Sequence, residues 1–589
     1  MVIRHIQYTF LAGLVFLAGC AANAAYQQAQ LSMLMGGTPR PETAEGYSAF
    51  LVARYAALTN DPRQALEGYE RALTLESGKP DLAERAVFAA LMAGTFEDAV
   101  RLAKKVDVSE GEASSLVRLT LAVDAVREGR LAAAEAALAA SGGGAFDQSV
   151  MTPLRAWIAY QRGGIDAGGA KLFAQENTTP LHYAAEHYFL ALMYLAEGAD
   201  EEALNVLSAV WETGPRLAVA AEAQARLLAQ SGREQQALDV LTTFRRDIGP
   251  NPAIDGLRRQ IESGEPVSID RPSLRSGAAL ALYTPGAALA AQTDSDFPGV
   301  LFALTLALDP DMDIARTLWA KSLDGVGRRG EAIEVLEVIA PDSPYYATAR
   351  GQLAWAYRRD GQGDRALQVA SEAIDATSDR DLMVQMGDLL TTLRRDGEAN
   401  QLFTRVIGTD RANGEADWRL FLARGAARER LGRWPEAEAD LREAMRLSPD
   451  NPRILNHLGY SLVDRGIQLD EGLRLISRAV DLRPRSGMIL DSLGWAYFRL
   501  GDYSRAVIHL ERAVELEPGD PVINDHLGDA YWRTGRRLEA RFQWQRALTL
   551  EPEPNLVSQL HLKLREGLDG PTARVAAHGG DATDRQVHP

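Results

Sequence analysis

The side chains best suited to chemistry in this sequence form a stripe that recurs every 34 or 35 residues toward its C-terminal end. The stripe combines aromatic rings, carboxylates or amides, and arginines at i, i+4 and i+7 spacing, which places them on one face of a helix. Rings supply buried contact area, Asn and Asp can hydrogen-bond an extended backbone, and arginine can hold a carboxylate through two parallel hydrogen bonds. We therefore predict a peptide-binding groove lined by Asn456, Tyr460, Asp491, Trp495, Phe498, Arg499, Asp525, Asp529, Trp532 and Arg533.

The same rings have a second interpretation, which the sequence leaves open. Tryptophan and tyrosine on repeated helices often pack only between neighbouring repeats and contact no partner. Trp495 and Trp532 fit both interpretations equally well, whereas Tyr460 fits packing better.

The sequence contains few patterns typical of catalytic sites. It has no H-E-x-x-H, no G-x-S-x-G and no phosphate-binding loop. His457 and His526 occupy equivalent places just before a Leu-Gly pair, as a repeat position does. Asp525 and Asp529 lie one helical turn apart, and paired carboxylates can do acid–base work, but a solvated or partner-facing pair fits this context better. We predict no enzyme activity, no metal site, no cofactor and no small-molecule substrate.

Composition narrows the class of partner further. Lys and Arg number 63 and Asp and Glu number 80, so the net charge is −17. A general nucleic-acid binder needs a basic face for phosphate contacts, and this balance argues against one. Cys20 is the only cysteine, so one chain can form neither a disulfide nor a thiolate metal site.

The N-terminal segment carries a targeting pattern that ends at Cys20. Arg4 supplies positive charge, residues 8–18 are mostly apolar, and the run is shorter than the ~20 residues that span a bilayer. The pattern resembles a bacterial lipoprotein signal, with Leu17, Ala18, Gly19 and Cys20 on its four conserved positions. This resemblance implies cleavage before Cys20 and acylation of that residue; an ordinary secretory signal is the alternative. Ala21 stands where an inner-membrane retention signal would have Asp, which favours the outer membrane and its periplasmic face.

Helix pairs must position the stripe, because the chain repeats itself with the tetratricopeptide period of 34. Ala444, Ala479, Ala513 and Ala547 are spaced 35, 34 and 34 residues apart, and a proline follows each one five residues later. Within one unit, Gly494 and Ala506 are small where we expect the two antiparallel helices to touch, and Gly501 permits the turn between them. The unit before it has an extra residue in this turn and Gly472 in place of the usual alanine, so we predict a distorted but intact repeat.

The upstream sequence shows the same pattern with less fidelity. Glycine followed five residues later by alanine recurs at Gly94, Gly129, Gly198, Gly232, Gly327 and Gly361. We predict an all-α tetratricopeptide-repeat solenoid of antiparallel helix pairs. The predicted division is a signal peptide at 1–19, a lipidated linker at 20–40, a degenerate solenoid at 41–261, an irregular, proline-rich interruption at 262–298, a second solenoid at 299–565 with its best repeats at 418–552, and a disordered tail at 566–589.

The run from residue 418 to residue 554 resembles the C-terminal repeats of large proteobacterial tetratricopeptide lipoproteins. The resemblance rests on Asn456-His457-Leu458-Gly459-Tyr460, on Asp491-Ser492-Leu493-Gly494-Trp495 and on the run from Asp525 to Trp532. In that family, the best understood members are outer-membrane adaptors that bring a periplasmic carboxy-terminal processing protease together with its cell-wall hydrolase substrates. The resemblance implies a non-enzymatic scaffold with these protein partners. Holding protease and substrate on one scaffold raises their effective concentration for each other. The alternatives are an assembly or export factor for outer-membrane proteins or polysaccharide, and a cell-wall enzyme that uses Asp525 or Asp529.

Overall fold

A computed structural model describes residues 43–76, 79–106, 115–139, 150–174, 179–249, 251–291, 297–412 and 414–569. These residues form helices joined by turns and contain no strand, which confirms the predicted all-α class. None of these helices is long and apolar enough to cross a membrane. The predicted signal peptide, Leu17, Ala18, Gly19, Cys20 and the linker at 20–40 lie outside the described residues.

The helices of the N-terminal part are α1 Ala44–Leu58, α2 Pro62–Leu75, α3 Pro80–Met92, α4 Phe96–Ala103, α5 Ser115–Arg127, α6 Leu131–Leu138, α7 Thr152–Leu172, α8 Pro180–Glu197, α9 Asp200–Thr213, α10 Ala218–Gln230, α11 Glu234–Asp247, α12 Pro252–Glu262, α13 Leu274–Ala290, α14 Phe297–Leu308, α15 Asp313–Gly325, α16 Arg329–Glu337 and α17 Tyr346–Arg359. Those that follow are α18 Gly363–Thr377, α19 Arg380–Thr392, α20 Asp396–Ala412, α21 Trp418–Arg430, α22 Trp434–Leu447, α23 Pro452–Asp464, α24 Leu469–Leu482, α25 Gly487–Arg499, α26 Tyr503–Leu516, α27 Pro521–Arg533, α28 Arg537–Leu548 and α29 Pro554–Glu566.

The helix pairs begin and turn where the repeat pattern predicts. Before α27, Asp520 accepts hydrogen bonds from the backbone N–H groups of Val522 and Ile523, and Pro521 occupies the first turn, where its missing N–H costs nothing. Gly501 has a φ of 81°, a left-handed conformation that glycine adopts without strain, and it lies in the turn between Arg499, where α25 ends, and Tyr503, where α26 begins. Each of the six upstream turn glycines predicted from the sequence also has a positive φ.

The small residues inside each pair are explained by how closely its two helices approach. A Cβ atom added to Gly494 would lie 2.5 Å from a side-chain atom of Leu510 and 3.2 Å from the carbonyl oxygen of Ala506. In the distorted unit, a Cβ atom on Gly472 would lie 2.8 Å from the carbonyl oxygen of Gly459. The second glycine thus admits the other helix where alanine would collide with its backbone. The turn carries its extra residue, with Gln468 in the left-handed region, so the prediction of a distorted but intact repeat is confirmed.

Two compact units divide the chain: the N-unit ends at Val369 and the C-unit begins at Ala370. The expected interruption at 262–298 is therefore not the boundary, and it is not irregular throughout. Residues 274–290 form α13, whose Pro285 lies inside the helix and is buried. The four prolines suggested a break, but Ser273 begins α13 with a capping box in which its side chain and that of Ser276 each accept a backbone N–H.

The N-unit has a core that a simple linear array would lack. In α14, ten of the twelve residues are buried, and the helix is apolar all round, so it is stable only where other helices cover every face. It packs against α3 and α5, while α13 packs against α7. Contacts over such long sequence separation close the N-unit upon itself. The C-unit instead continues as successive helix pairs that end at α29.

Candidate functional site

The aromatic members of the predicted stripe lie against other parts of the chain. The Trp495 ring stacks on His526, with ring centroids 4.2 Å apart, and on Phe498, with centroids 4.8 Å apart. Its indole N–H donates a hydrogen bond of 3.3 Å to Asp464. Trp495 is only 8% exposed, so its ring faces are occupied by its own chain. Of the two interpretations that the sequence left open for Trp495, the structure shows the packing one.

Carboxylates on and beside the stripe contact basic side chains of the next repeat. His526 Nδ1 lies 2.9 Å from Asp491 Oδ1, and His457 Nε2 lies 3.0 Å from Glu429 Oε2 at the equivalent place two repeats earlier. The Arg499 guanidinium donates to the backbone oxygen of Asp464 and forms an ion pair of 3.5 Å with its carboxylate. Each of these pairs joins the first helix of one repeat to the first helix of the next.

Asp525 and Asp529 form the last step of this series, and their partner comes from α29. Lys563 Nζ donates to both oxygens of Asp525 at 2.7 Å and to Asp529 Oδ2 at 2.8 Å. The indole N–H of Trp544 donates to Asp529 Oδ1 at 3.0 Å. Burial, together with Asp525, raises the pKa of Asp529 to about 6 in spite of Lys563. The pair therefore belongs to an internal ion-pair network and faces neither solvent nor an open groove.

Trp532 and Arg533 contact residues that the sequence assigned to a disordered tail. The Trp532 indole N–H donates to Asp569 Oδ2 at 3.0 Å, and Arg533 donates to Asp569 Oδ1 at 3.1 Å. A Cβ atom on Gly567 would lie 1.9 Å from the Trp532 ring, so only glycine fits there. Residues 567–569 are thus packed on α27, which corrects the predicted start of the tail; residues 570–589 lie outside the described part of the chain.

The other stripe residues are half-buried. Asn456 Oδ1 is buried without a hydrogen-bond partner in the described structure, and Tyr460 and Phe498 pack beside Trp495. The predicted residues lie on the first helices of three successive repeats, α23, α25 and α27. The structure brings them together as a network between repeats, and a partner could reach Asp525 and Asp529 only if α29 moved away.

The His526–Asp491 contact gives a prediction for stability. Burial alone would lower the pKa of His526, but Asp491 and then Asp525 and Asp529 raise it above its usual 6.5. Stability from this contact is therefore complete below that value and is lost as pH rises through the raised pKa. Replacing His526 with Gln should cost more at about pH 5.5 than at about pH 8.5 in urea unfolding of the full chain.

His509 provides the matched control for this measurement. Burial and then Arg505 lower the pKa of His509, so His509→Gln should become relatively more favourable as pH falls. An equal cost of His526→Gln at both pH values would contradict the assignment of a charged contact.

A cleft in the N-unit offers the open cavity that the C-unit stripe lacks. Its volume is about 770 Å³, within the range of sites that hold ligands. It lies between α8, α10 and α13, the segment 269–272 before α13, the turn into α15 and residues 338–345. The side chains that give it its character are Tyr188, Leu192, Glu222, Arg226, Ile269, Asp270, Arg271, Leu280, Tyr283, Asp309, Asp311, Met312, Asp313, Arg316, Asp342 and Tyr345.

Three tyrosines in this cleft surround one carboxylate. Burial raises the pKa of Tyr188, Tyr283 and Tyr345, and the Glu222 carboxylate raises each further. Their hydroxyls therefore stay neutral at physiological pH and keep a proton to donate. Glu222 accepts hydrogen bonds from Arg226 at 2.8 and 3.0 Å, which holds it beside the rings. The cleft thus combines apolar wall residues such as Leu192, Leu280 and Met312 with many charged side chains and three tyrosines.

Sequence reasoning missed this cleft because its residues come from segments spread over residues 188–345. No spacing rule connects them, since α13 and α14 must first fold back on the earlier helices. The only local signal is Asp309-Pro310-Asp311-Met312-Asp313, an acidic turn between two helices. Across the described ranges, no group of three or more His, Cys, Asp or Glu could hold a metal ion.

Comparison with known proteins identifies the repeat. Residues 347–553 match a family model described as a tetratricopeptide repeat. The TPR repeat-containing protein PA4667 of Pseudomonas aeruginosa is 37% identical over 94 residues, which are 16% of this chain and 16% of that protein. The match thus spans less than a fifth of the length of this relative.

Solved structures show more distant likenesses. The Cut9–Hcn1 hetero-tetramer of the APC/C is 15% identical at a TM-score of 0.36 and covers 89% of this chain and 97% of that one. A tetratricopeptide repeat protein from Parabacteroides merdae is 18% identical at a TM-score of 0.37 and covers 42% and 95%. Over residues 347–553 the chain is therefore an array of tetratricopeptide repeats, as the sequence predicted.

Proposed function

We propose that this chain is a non-enzymatic protein-interaction scaffold and that the N-unit cleft receives an extended segment of a partner. The observation that carries this proposal is an open cavity of about 770 Å³ in a chain whose other candidate surface is occupied by its own residues. Tetratricopeptide arrays present surfaces to protein partners, which supports the scaffold role. Binding along the C-unit stripe is the second candidate, and at Asp525 and Asp529 it requires release of α29.

The proposed location is the periplasmic face of the outer membrane, with an acylated Cys20 as the anchor. Support comes from the Leu17-Ala18-Gly19-Cys20 pattern and from Ala21 after it. Acyl chains contribute ~0.8 kcal/mol per buried methylene, so two or three chains hold a protein on a membrane durably. On this basis the proposed partners are a carboxy-terminal processing protease and its cell-wall hydrolase substrates, which the scaffold would concentrate near the membrane.

Affinity capture from solubilised envelopes tests the scaffold function, with the full-length anchored chain as bait. A second bait carries Ala223→Trp, which fills part of the cleft from α10, and a third carries Ala132→Trp on the exposed face of α6 as the matched control. All three baits should have the same helicity by circular dichroism. We expect a protease and wall hydrolases with the wild type and with Ala132→Trp, and their loss with Ala223→Trp.

Each of the other outcomes decides between the alternatives. Capture of export or outer-membrane assembly proteins would favour the assembly factor. Retention of every partner by Ala223→Trp would remove the cleft from the proposal and leave the stripe. Absence of any reproducible partner would overturn the scaffold function itself.

A further inference from the structure

The charges that line the N-unit cleft do not balance. Its six carboxylates belong to Glu222, Asp270, Asp309, Asp311, Asp313 and Asp342, whereas its three cations belong to Arg226, Arg271 and Arg316. The cleft therefore carries three more negative than positive side chains. Opposite charges attract across a cleft, so this excess favours a positively charged ligand over an anionic one.

All three arginines already have acceptors. Arg226 donates to Glu222 and to the backbone oxygen of Ser268, and Arg271 donates to Asp200 and to the backbone oxygen of Leu195. Arg316 donates to the backbone oxygen of Pro310 and lies 3.5 Å from Asp313. Their positive charge is therefore already partly matched by acceptors of the chain itself.

Four of the carboxylates, by contrast, form no ion pair within the described residues: Asp270, Asp309, Asp311 and Asp342. Asp309 is half-buried and accepts only the backbone N–H of Asp311, at 3.2 Å. Burial, together with Asp311 and Asp313, raises the pKa of Asp309, which is the mark of negative charge without a nearby cation. A cation beside Asp309 would relieve this cost.

Two tyrosines supply an independent sign of a ligand. Tyr188 and Tyr283 are 3% and 6% exposed and line the cavity, and neither hydroxyl has a hydrogen-bond partner in the described part of the chain. Both hydroxyls reach the cavity from otherwise buried rings, so each can donate its proton to a group bound there. A peptide carbonyl is such a group, because it accepts the proton that a neutral tyrosine donates.

Resting on the proposed function, we infer that the cleft binds a partner segment in extended conformation through one arginine or lysine side chain. The cation lies between Asp309 and Asp311, and backbone carbonyls of the segment accept hydrogen bonds from Tyr188 and Tyr283. Charge-assisted hydrogen bonds are about twice as strong as neutral ones, and tyrosine faces attract a cation as well. An acidic segment would meet like charge, and an apolar segment would bury Asp309 without a cation.

Fluorescence anisotropy with short labelled peptides tests this inference on the full chain. The probes are glycine–serine peptides whose central residue is arginine, citrulline or glutamate, all blocked at both ends. Citrulline matches the shape of arginine without its charge. We expect the arginine peptide to bind at least about tenfold more tightly than the citrulline peptide and the preference to shrink as salt rises.

The Asp309→Asn, Asp311→Asn double variant should abolish this preference. Asparagine keeps an oxygen that can accept the N–H of residue 311, so the turn is preserved while two charges are removed. The matched control is Asp375→Asn, Asp481→Asn, which removes two exposed carboxylates that form no ion pair in the described structure. Tyr188→Phe should weaken all three peptides by a similar factor, because it removes a donor to the backbone and not a charge contact.

Several results would overturn the inference. They are equal binding of the citrulline or glutamate peptide, an undiminished preference in the Asp309→Asn, Asp311→Asn variant, and no binding of the arginine peptide at all. Spermidine that competes as tightly as the arginine peptide would assign the cleft to a free amine instead. If envelope capture yields partners but these peptides do not bind, the scaffold function stands and the cationic-segment assignment is wrong. If the arginine peptide binds but no partner is captured, the cleft binds a cationic segment and the scaffold function is wrong.

Discussion

Replacing Lys563 with methionine should lower the free energy of unfolding of the last repeats by about 3–5 kcal/mol, the usual cost of removing one partner from a buried ion pair. Lys563 Nζ is the cation for both Asp525 and Asp529, and its side chain is only 14% exposed. Methionine fills a similar volume, so the loss reports charge and not a cavity. Hydrogen exchange of the amides of α27 and α28 in the full chain measures this loss locally.

Arg565→Met provides the matched control, because Arg565 lies on the same helix, is exposed and, among the described residues, forms an ion pair only with the adjacent Glu566. It should change stability by less than about 0.5 kcal/mol. Adding Asp525→Asn and Asp529→Asn to Lys563→Met should recover part of the loss, since no unpaired charge remains buried. The deficit of Lys563→Met should also shrink as pH falls, because a protonated carboxyl needs no cation. A deficit independent of pH would contradict this account.

Gly277→Ala should destabilise the N-unit by about 3 kcal/mol, at the upper end of the usual cost of overpacking. A Cβ atom there would lie 2.1 Å from two ring atoms of Trp157, and this ring is fully buried and fixed by a hydrogen bond of 3.0 Å to the backbone oxygen of Leu274. The ring cannot give way, so α13 must shift away from α7. Because Tyr283 is on α13, the same change should also weaken ligand binding in the cleft. Urea unfolding measures the first effect and peptide anisotropy the second.

Gly256→Ala is the control, and it should change the free energy of unfolding in the opposite direction. Gly256 is also a helical glycine of the N-unit, on α12, but a Cβ atom there meets nothing within 4 Å. Alanine should therefore stabilise the helix by about 0.5–1 kcal/mol, since glycine loses more backbone freedom on folding. If both substitutions had the same effect, close packing at Trp157 would not be the reason for Gly277.

The repeat pattern was readable in the sequence because its constraints are local. A left-handed turn favours glycine, and the near approach of two helices requires a small residue five positions later, so Gly501 and Ala506 mark a helix pair without knowledge of the rest. The same reasoning found the extra residue before α24. It also located the degenerate repeats upstream, where only the glycine and the alanine remain of the pattern.

The closed N-unit could not be read in this way, because its cause is not local. Pro285 and its neighbours suggested a broken segment, since proline usually ends a helix. However, α14 is apolar on every face and is stable only where other helices pack around it. This requirement favours a packed helix for the segment with Pro285 over a surface loop. Residues of the cleft come together only after this packing. No motif or spacing in the sequence therefore predicts that Glu222 and Tyr345 lie in the same cleft.

For the stripe, the sequence predicted which residues lie together but not what contacts them. Spacing correctly placed Asp525, Asp529 and Trp532 on one face of α27, but spacing does not identify what covers that face. Lys563 and Asp569 do so, and they lie in and just after α29, beyond the last complete repeat. A helix that completes the end of an array has no repeat pattern of its own, so the sequence assigned residues 567–569 to a tail.

The dependence of α27 on Lys563 also sets an order in which the end of the chain can fold. During synthesis or export, residues 521–548 become available before residue 563 does. Until Lys563 is present, Asp525 and Asp529 must remain hydrated or become protonated. Burying them without a cation would cost free energy, so the helix pair α27–α28 is less stable at that stage. Only a chain that has been made past residue 563 can therefore complete this repeat, and a product terminated before that residue would leave it open to proteolysis.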